Sequence, residues 1–380
     1  MRYFLFDEFF GLRVYDSYEK TEFYFDKNNS ENIKNLLKGG SLLVEKNNNI
    51  EQKLSAPLKI SMNITKKCNL RCKQCFSDSG EMKDNELTTK EIFNLFDDMH
   101  SYGTFFICIG GGEPLIRDDI LDILQYGKSK QLSISIVSNG LLLTKELINE
   151  LNKCDLDTIW ISLEGLEKNH DFLRDRGTYQ KAISALLLLK KYSNSKTAIR
   201  VSLSKYNINE YKEIIKLAEK YSVDILRFTP LMEFGRAKDQ NFTISQKQYI
   251  QFLKEIQNIK SNVKIIHPNV IDCGKFWISS SDFGCHCGKE TVWIDEVGNY
   301  SPCIFLGESY TIGNIKKDSY IDLWKKSLEI TTVKGNDTCK QCNNYLNCRG
   351  GCRARALNLY KNINEIDPLC PLMKNLGVEG

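Results

Sequence analysis

The chain has 380 residues, 42% of them hydrophobic, which is enough for two domains and a substantial core. Its 52 basic and 48 acidic residues leave a net charge of +4 with no basic block, so nucleic acid is not an expected partner and charge names no other. Fourteen cysteines clustered at ligand spacing read as metal ligands in a reducing compartment, not as the disulfide scaffold of a short secreted domain.

The opening Met1-Arg2-Tyr3-Phe4-Leu5-Phe6-Asp7-Glu8 places acidic residues after only a few apolar ones. It fits neither a secretory signal nor a membrane span, so a cytoplasmic location with no membrane partner is expected. Residues 1–57 alternate apolar and polar from Tyr3 to Tyr24, with a turn near Gly11 and a short helix near Ser30 to Leu37. They form a small β-rich appendage, which either caps the neighbouring domain or offers an edge to which a peptide adds as a strand.

An apolar, strand-like run comes next, and directly behind it stand Cys68, Cys72 and Cys75. Three thiolates this close wrap one metal centre within a single loop, and soft sulfur selects iron-sulfur clusters or zinc. Structural zinc is normally closed by four protein ligands, so an isolated triplet leaves a corner for something else. An incomplete zinc knuckle is the simpler alternative.

From Leu58 to about Ile259, strands at 58–65, 105–109, 132–138, 158–164, 198–204 and 225–230 alternate with amphipathic stretches. The latter are Thr89 to His100, Asp118 to Lys130, Lys145 to Cys154, Tyr179 to Tyr192 and Glu210 to Tyr221. Six βα units predict a parallel, partly closed barrel. Parallel strands covered on both faces read as unbroken apolar runs, but these alternate. Ile60, Met62 and Ile64 oppose Ser61, Asn63 and Thr65, and Ile199, Val201 and Leu203 oppose Arg200, Ser202 and Ser204. If the apolar faces pack on outer helices, the polar faces line a wet cavity; an exposed sheet face is the alternative.

Gly110-Gly111-Gly112-Glu113-Pro114 follows the second strand, at the end where barrel enzymes bind ligands, and could by itself be a tight turn. Val137-Ser138-Asn139-Gly140 ends the third strand, Ile161-Ser162-Leu163-Glu164-Gly165 ends the fourth, and His170-Asp171-Phe172-Leu173-Arg174 lies beyond it. In this order, after the cysteine triplet, these segments resemble the radical SAM superfamily. The resemblance implies that Cys68, Cys72 and Cys75 bind three irons of a 4Fe-4S cluster whose fourth iron chelates S-adenosylmethionine. Reductive cleavage would give a 5'-deoxyadenosyl radical that takes a hydrogen atom from substrate. Gln74 stands where many members have an aromatic residue, with Phe76 following instead.

By the same resemblance Gly111, Gly112 and Glu113 hold the amino group of the methionine moiety, through the close backbone approach that glycine permits. Ser138, Asn139, Ser162 and Glu164 contact the ribose and carboxylate. Arg174 pairs with that carboxylate, unless it is a solvated helix residue; Arg200, on the cavity face, competes for the contact.

A second cluster, Cys339, Cys342, Cys348 and Cys352 followed by Cys370, with Cys285, Cys287 and Cys303 upstream, exceeds one tetrahedral zinc site. Its layout, including Cys285-His286-Cys287-Gly288 leading through Gly298 to Pro302-Cys303, resembles the SPASM domain of radical SAM enzymes. The resemblance assigns Cys285, Cys303 and Cys352 to a first auxiliary 4Fe-4S cluster and Cys339, Cys342, Cys348 and Cys370 to a second. Cys287 or Cys273 completes the first, or its position stays open for substrate. Cys108 and Cys154 read as small buried apolar residues.

The expected fold is α/β: a small β-rich appendage over residues 1–57, a partial (β/α)6 TIM-like radical SAM barrel over 58–262, and a SPASM iron-sulfur domain over 263–380. SPASM relatives mostly modify peptides or proteins. The expected activity is therefore hydrogen abstraction from a ribosomally made, leader-bearing peptide, ending in a thioether or carbon-carbon crosslink. A low-potential donor such as flavodoxin or ferredoxin would supply the electron. Epimerisation of a peptide, with a cavity thiol as hydrogen donor, is one alternative, and modification of a tetrapyrrole or other small molecule is another. A non-catalytic zinc protein is disfavoured by the βα repeats. Sulfatase maturases of this group carry an aspartate base where this chain has Ile304, whose aliphatic side chain accepts no proton.

Overall fold

The computed structural model describes residues 2–37, 41–44, 54–267, 285, 287–330, 336–342, 345–348 and 350–371. The amino-terminal residues form a four-stranded sheet in the spatial order β3-β2-β1-β4. Its strands are β1 (Tyr3–Glu8), β2 (Gly11–Asp16), β3 (Thr21–Asp26) and β4 (Ser41–Val44), with α1 (Lys27–Leu36) ahead of β4. The first three make an antiparallel meander, and β4 runs parallel to β1.

The alternation read in the sequence gives this sheet two working faces. Leu5, Leu12 and Val14 pack beneath Ile33 of α1. Phe4, Phe6 and Tyr15 turn the other way, and the Tyr15 ring stacks on Phe105 with centroids 4.1 Å apart. Phe105 lies just before a barrel strand, and the Tyr15 hydroxyl donates to Gln131 O, just before the next. The appendage therefore packs against the amino end of the barrel.

Arg13 is the polar pin of that contact. Fully buried, it donates from Nε to Glu8 Oε1 (3.2 Å) and from Nη1 to Glu22 Oε1 (2.8 Å) and to Gly103 O (2.8 Å). Arg13→Met leaves two buried carboxylates without their cation, and the expected loss is about 3–5 kcal/mol in denaturant unfolding. A loss under about 1 kcal/mol would show that the pin is not structural.

The barrel is part of a ten-stranded sheet in the order β11-β10-β9-β8-β7-β6-β5-β12-β13-β14. Its parallel strands are β5 (Lys59–Asn63), β6 (Phe106–Gly110), β7 (Ser133–Ser138), β8 (Thr158–Ser162), β9 (Lys196–Leu203), β10 (Ile225–Pro230) and β11 (Lys264–Ile266). Between them run α2 (Thr89–Tyr102), α3 (Ile120–Ser129), α4 (Lys145–Lys153), α5 (Glu167–Leu173), α6 (Thr178–Tyr192), α7 (Tyr211–Lys220) and α8 (Gln246–Ile256). Six βα units are present; the six strands and α2, α3, α4, α6 and α7 lie within a few residues of their sequence readings, whereas α5 and α8 were not read. Helix starts follow local chemistry: the Thr88 hydroxyl accepts from Glu91 N (3.3 Å) while Glu91 Oε2 accepts from Thr88 N (2.8 Å), a reciprocal cap for α2.

Ile60, Met62, Ile107, Ile109, Ile199 and Val201 are buried against the helices, so the polar face of each strand turns inward. The exposed-face alternative is excluded. The sheet does not stop at residue 262. β11 extends one edge, and at the other β12 (Thr291–Ile294) pairs in parallel with β5, aligning Val292 with Ile60 and Trp293 with Ser61. β13 (Asn299–Ser301) and β14 (Gly313–Asn314) continue it antiparallel. No helix among the described residues is long and apolar enough to cross a membrane.

Candidate active site

Beyond Asn63 the chain leaves β5 and forms the cysteine loop, which is held by its backbone. Cys68 N donates to Gly80 O (2.9 Å), Lys73 N to Leu173 O at the end of α5 (2.8 Å), and Arg236 Nε to Cys72 O (2.9 Å). The glycine run closes the other side, where Gly112 N donates to Thr65 O (2.8 Å) and Glu113 N to Lys67 O (2.9 Å). A Cβ on Gly111 would lie 2.4 Å from Thr65 O, and one on Gly112 2.2 Å from Lys67 O. Only glycine lets the two segments come this close.

Cys68, Cys72 and Cys75 are half-buried and line one cavity of about 240 Å³ at the carboxyl ends of the strands. Burial pushes the Cys68 thiol up to about 11 and raises Cys72 as well. Cys75 is held lower than an ordinary thiol: burial opposes ionisation there, but Ser79 N, donating to its Sγ at 3.4 Å, and the Ser77 hydroxyl favour the thiolate. No three His, Cys, Asp or Glu side chains among the described residues converge as ligands of one metal ion. A polynuclear cluster does not require that, because each thiolate binds a different iron, and three soft ligands around one cavity suit it.

Gly111, Gly112, Ser138, Asn139, Ser162, Glu164, Arg174 and Arg200 all line the same cavity, so the structure brings together what the sequence scatters over four strands and the end of α5. Glu113 is the exception. It is fully buried in the wall, where Oε1 accepts from the Ser138 hydroxyl (2.9 Å) and Leu115 N (3.2 Å), and Oε2 from Asn139 N (2.8 Å). Burial pushes its carboxyl up to about 7 against those bonds. In this arrangement Glu113 organises the Ser138-Asn139 segment instead of facing the cavity.

Arg174 is not a solvated helix residue. Largely buried, it donates from Nη2 to Glu164 Oε1 (2.9 Å), while Glu164 Oε2 accepts from Ser202 N (2.8 Å). Its Nε is buried without a partner. His170 supports this pair from behind: Glu164 N donates to His170 Nδ1 (3.0 Å), and burial holds the imidazole neutral, with a pKa lowered to about 3. Arg236, Trp293 and Cys108 also line the cavity and were missed as site residues, and Ile304 lines it too. Cys108 corrects a sequence reading, because it sits on the inward face of β6 in register with Ser61 and Ser135 and is not packed in the core. Strand alternation with Ile107 and Ile109 carried that signal. Cys154 is buried, as expected.

The remaining cysteines fall into two groups. Cys287 lies within side-chain hydrogen-bonding reach of both Cys285 and Cys303. Cys273 lies outside the described residues. In the second, Cys339 and Cys370 pack around Ile366, Cys342 follows one turn after Cys339, and Cys348 ends the short helix Tyr345–Cys348. Asp367 ties the sets together: Oδ2 accepts from Cys352 N (2.7 Å), Oδ1 accepts from Arg355 Nε (2.7 Å), and its carbonyl accepts from Cys370 N (2.8 Å). Phe305 bridges to the first loop, its ring 5.6 Å from that of Phe76.

Residues 62–218 match the radical SAM superfamily, and residues 285–349 match SPASM, an iron-sulfur cluster-binding domain. The chain is a radical SAM enzyme with a C-terminal SPASM domain, and these domains bring S-adenosylmethionine and iron-sulfur clusters as cofactors. It is similar to the mycofactocin maturase MftC of Mycobacterium tuberculosis, 27% identical over 332 residues covering 84% of each chain. It is also similar to an AdoMet-dependent heme synthase of Methanosarcina barkeri, 25% identical and covering 83% of this chain and 97% of the other. The solved structure of Streptococcus suis SuiB bound to S-adenosylmethionine shares the fold, with a TM-score of 0.77, 17% identity, and coverage of 97% of this chain and 98% of that one.

Proposed function

We propose that the enzyme matures a ribosomally made peptide, removing a hydrogen atom from one residue so that a thioether or carbon-carbon crosslink forms. The observation that carries this reading is the reach of the cavity, which runs from Cys68, Cys72 and Cys75 to Ile304, the neighbour of Cys303. A substrate segment held there lies between the triplet and the first C-terminal cysteine group. The maturase MftC supports the reading, as does SuiB, solved with its precursor peptide SuiA at a TM-score of 0.76.

The ligands we assign are Cys68, Cys72 and Cys75 for the radical SAM 4Fe-4S cluster, Cys285, Cys287, Cys303 and Cys352 for a first auxiliary 4Fe-4S cluster, and Cys339, Cys342, Cys348 and Cys370 for a second. When bound, these centres and S-adenosylmethionine supply the reducing electron and the hydrogen-abstracting radical. The chain's own residues do the positioning. Ser138, Asn139 and Ser162 offer polar groups to the ribose, the glycine run offers backbone, and Arg200 or Arg174 receives the methionine carboxylate. A low-potential protein donor feeds the centres, and the peptide's leader binds outside the cavity.

Mass spectrometry of a short peptide encoded beside the enzyme tests the chemistry: crosslinking lowers its mass by two hydrogens, one taken by the deoxyadenosyl radical and the other lost as a proton and an electron that an auxiliary iron-sulfur centre would accept when bound. One observation favours epimerisation as a second reading. Cys108 presents a thiol to the cavity that could return a hydrogen atom to the opposite face of a carbon radical. In that case mass is unchanged in ordinary water and deuterium enters from heavy water. Formylglycine in a sulfatase peptide, or turnover of a tetrapyrrole alone, would overturn the peptide-crosslinking assignment.

A further inference from the structure

The barrel interior holds more positive charge than its cofactor explains. Parallel pairing of β9 with β10 sets Arg200 directly beside Arg227, and both lie on the inward face, between outward-packed Ile199 and Val201 on one strand and Leu226 and Phe228 on the other. Lys59 is on the inward face of β5, two residues before the cavity-lining Ser61. Like charges side by side in register destabilise a sheet.

No side chain among the described residues forms an ion pair with Arg200, Arg227 or Lys59. Arg227 Nε is buried with no hydrogen-bond partner, and its guanidinium carbon lies 5.3 Å from the centre of the Trp160 ring, which offers it only a π face. Burial and Arg200 lower the pKa of Arg227, while burial together with Arg227 and Arg200 lowers that of Lys59. Asp157, the carboxylate that acts on Lys59, already bonds Lys196 (3.1 Å) and the Thr158 hydroxyl (2.6 Å). Glu164 is committed to Arg174 and to Ser202 N. Cations turned into a sheet interior without an ion-pair partner are costly, so a site that keeps them is built for an arriving anion.

S-adenosylmethionine brings one carboxylate, and Arg174, at the end of α5, and Arg200, on β9, line the cavity in which they would meet it. Arg227 and Lys59 remain. We propose that Arg227 and Lys59, over Trp160, form an anion pocket that takes a carboxylate of the substrate, namely an acidic side chain of the peptide. The identity of the substrate rests on the peptide-maturase reading; the pocket itself does not. Cys108, in register with Ser61 on the neighbouring strand, presents its thiol to the same barrel interior.

The test uses enzyme reconstituted with its clusters and S-adenosylmethionine, with calorimetric titration of acetyl-Gly-Glu-Gly-amide and acetyl-Gly-Gln-Gly-amide. A second arm compares coproporphyrin III with its tetramethyl ester, because propionates are carboxylates from another source. The glutamate peptide is expected to bind at least tenfold more tightly than the glutamine peptide. Arg227→Met should abolish that preference, Arg227→Lys should restore part of it, and Lys59→Met should weaken it. Circular dichroism reports whether each variant is folded; if Arg227→Met is not, Lys59→Met carries the comparison. Equal binding of the two peptides, undiminished preference in folded variants, or no carboxylate binding in either arm overturns the pocket. Arg227-dependent binding of coproporphyrin with no peptide binding upholds the pocket and overturns the peptide reading.

Discussion

Replacing Cys68, Cys72 and Cys75 together by alanine is expected to reduce 5'-deoxyadenosine formation to background while iron in the C-terminal region stays bound. The backbone of the cysteine loop is fastened by Gly80, Leu173, Arg236 and the glycine run, none of which uses a thiol. Three half-buried thiols can therefore be removed without loosening the loop that presents them. The loss should be one of chemistry and not of folding. Chromatography of the cleavage product, beside iron analysis of the same sample, checks it. Normal cleavage in the triple variant would remove the triplet from the reaction.

Cys342→Ala is expected to lose the iron of one auxiliary centre and to leave an enzyme that cleaves S-adenosylmethionine without completing product. Cys342 is only half-buried, whereas Cys339 is buried against Ile366, so alanine at 342 removes a ligand without opening the core. The second cysteine group also stands apart from the cavity that holds the triplet, which makes it dispensable for the first reductive step. Iron and sulfide content, with cleavage and product measured separately, gives the readout. Full product formation with unchanged iron would show that Cys342 is not a ligand; stoichiometric zinc in the wild type would overturn the assignment of that group.

Local rules made much of this legible. The period-two alternation of Leu58 to Thr65 foretold which side chains face the helices, and from that the wet interior followed. The start of α2 was read from apolar periodicity alone, and the cap formed by Thr88 and Glu91 in adjacent sequence is what fixes it there. Partners distant in sequence were not readable. Nothing near Arg174 announces Glu164 as its ion-pair partner, and nothing near Glu113 announces that Ser138 and Asn139 would claim its carboxylate. Cys108 was misread for a different reason: cysteine's burial tendency was weighed above the strand pattern that turned it inward. The addition of β12 to β5 has no local signature, since a four-residue apolar strand is compatible with many neighbours.

That pairing sets an order of assembly. A ribosome delivers β5 early and β12 only after the whole βα series has emerged, so the first barrel strand waits through most of synthesis with an open edge. An open edge next to three reactive thiols is a place for wrong pairing and oxidation. Chains cut short before Thr291 therefore lack the partner strand of β5, and aggregation is their expected fate. Productive loading of the cysteine loop is therefore expected only once β12 has been made and has paired with β5.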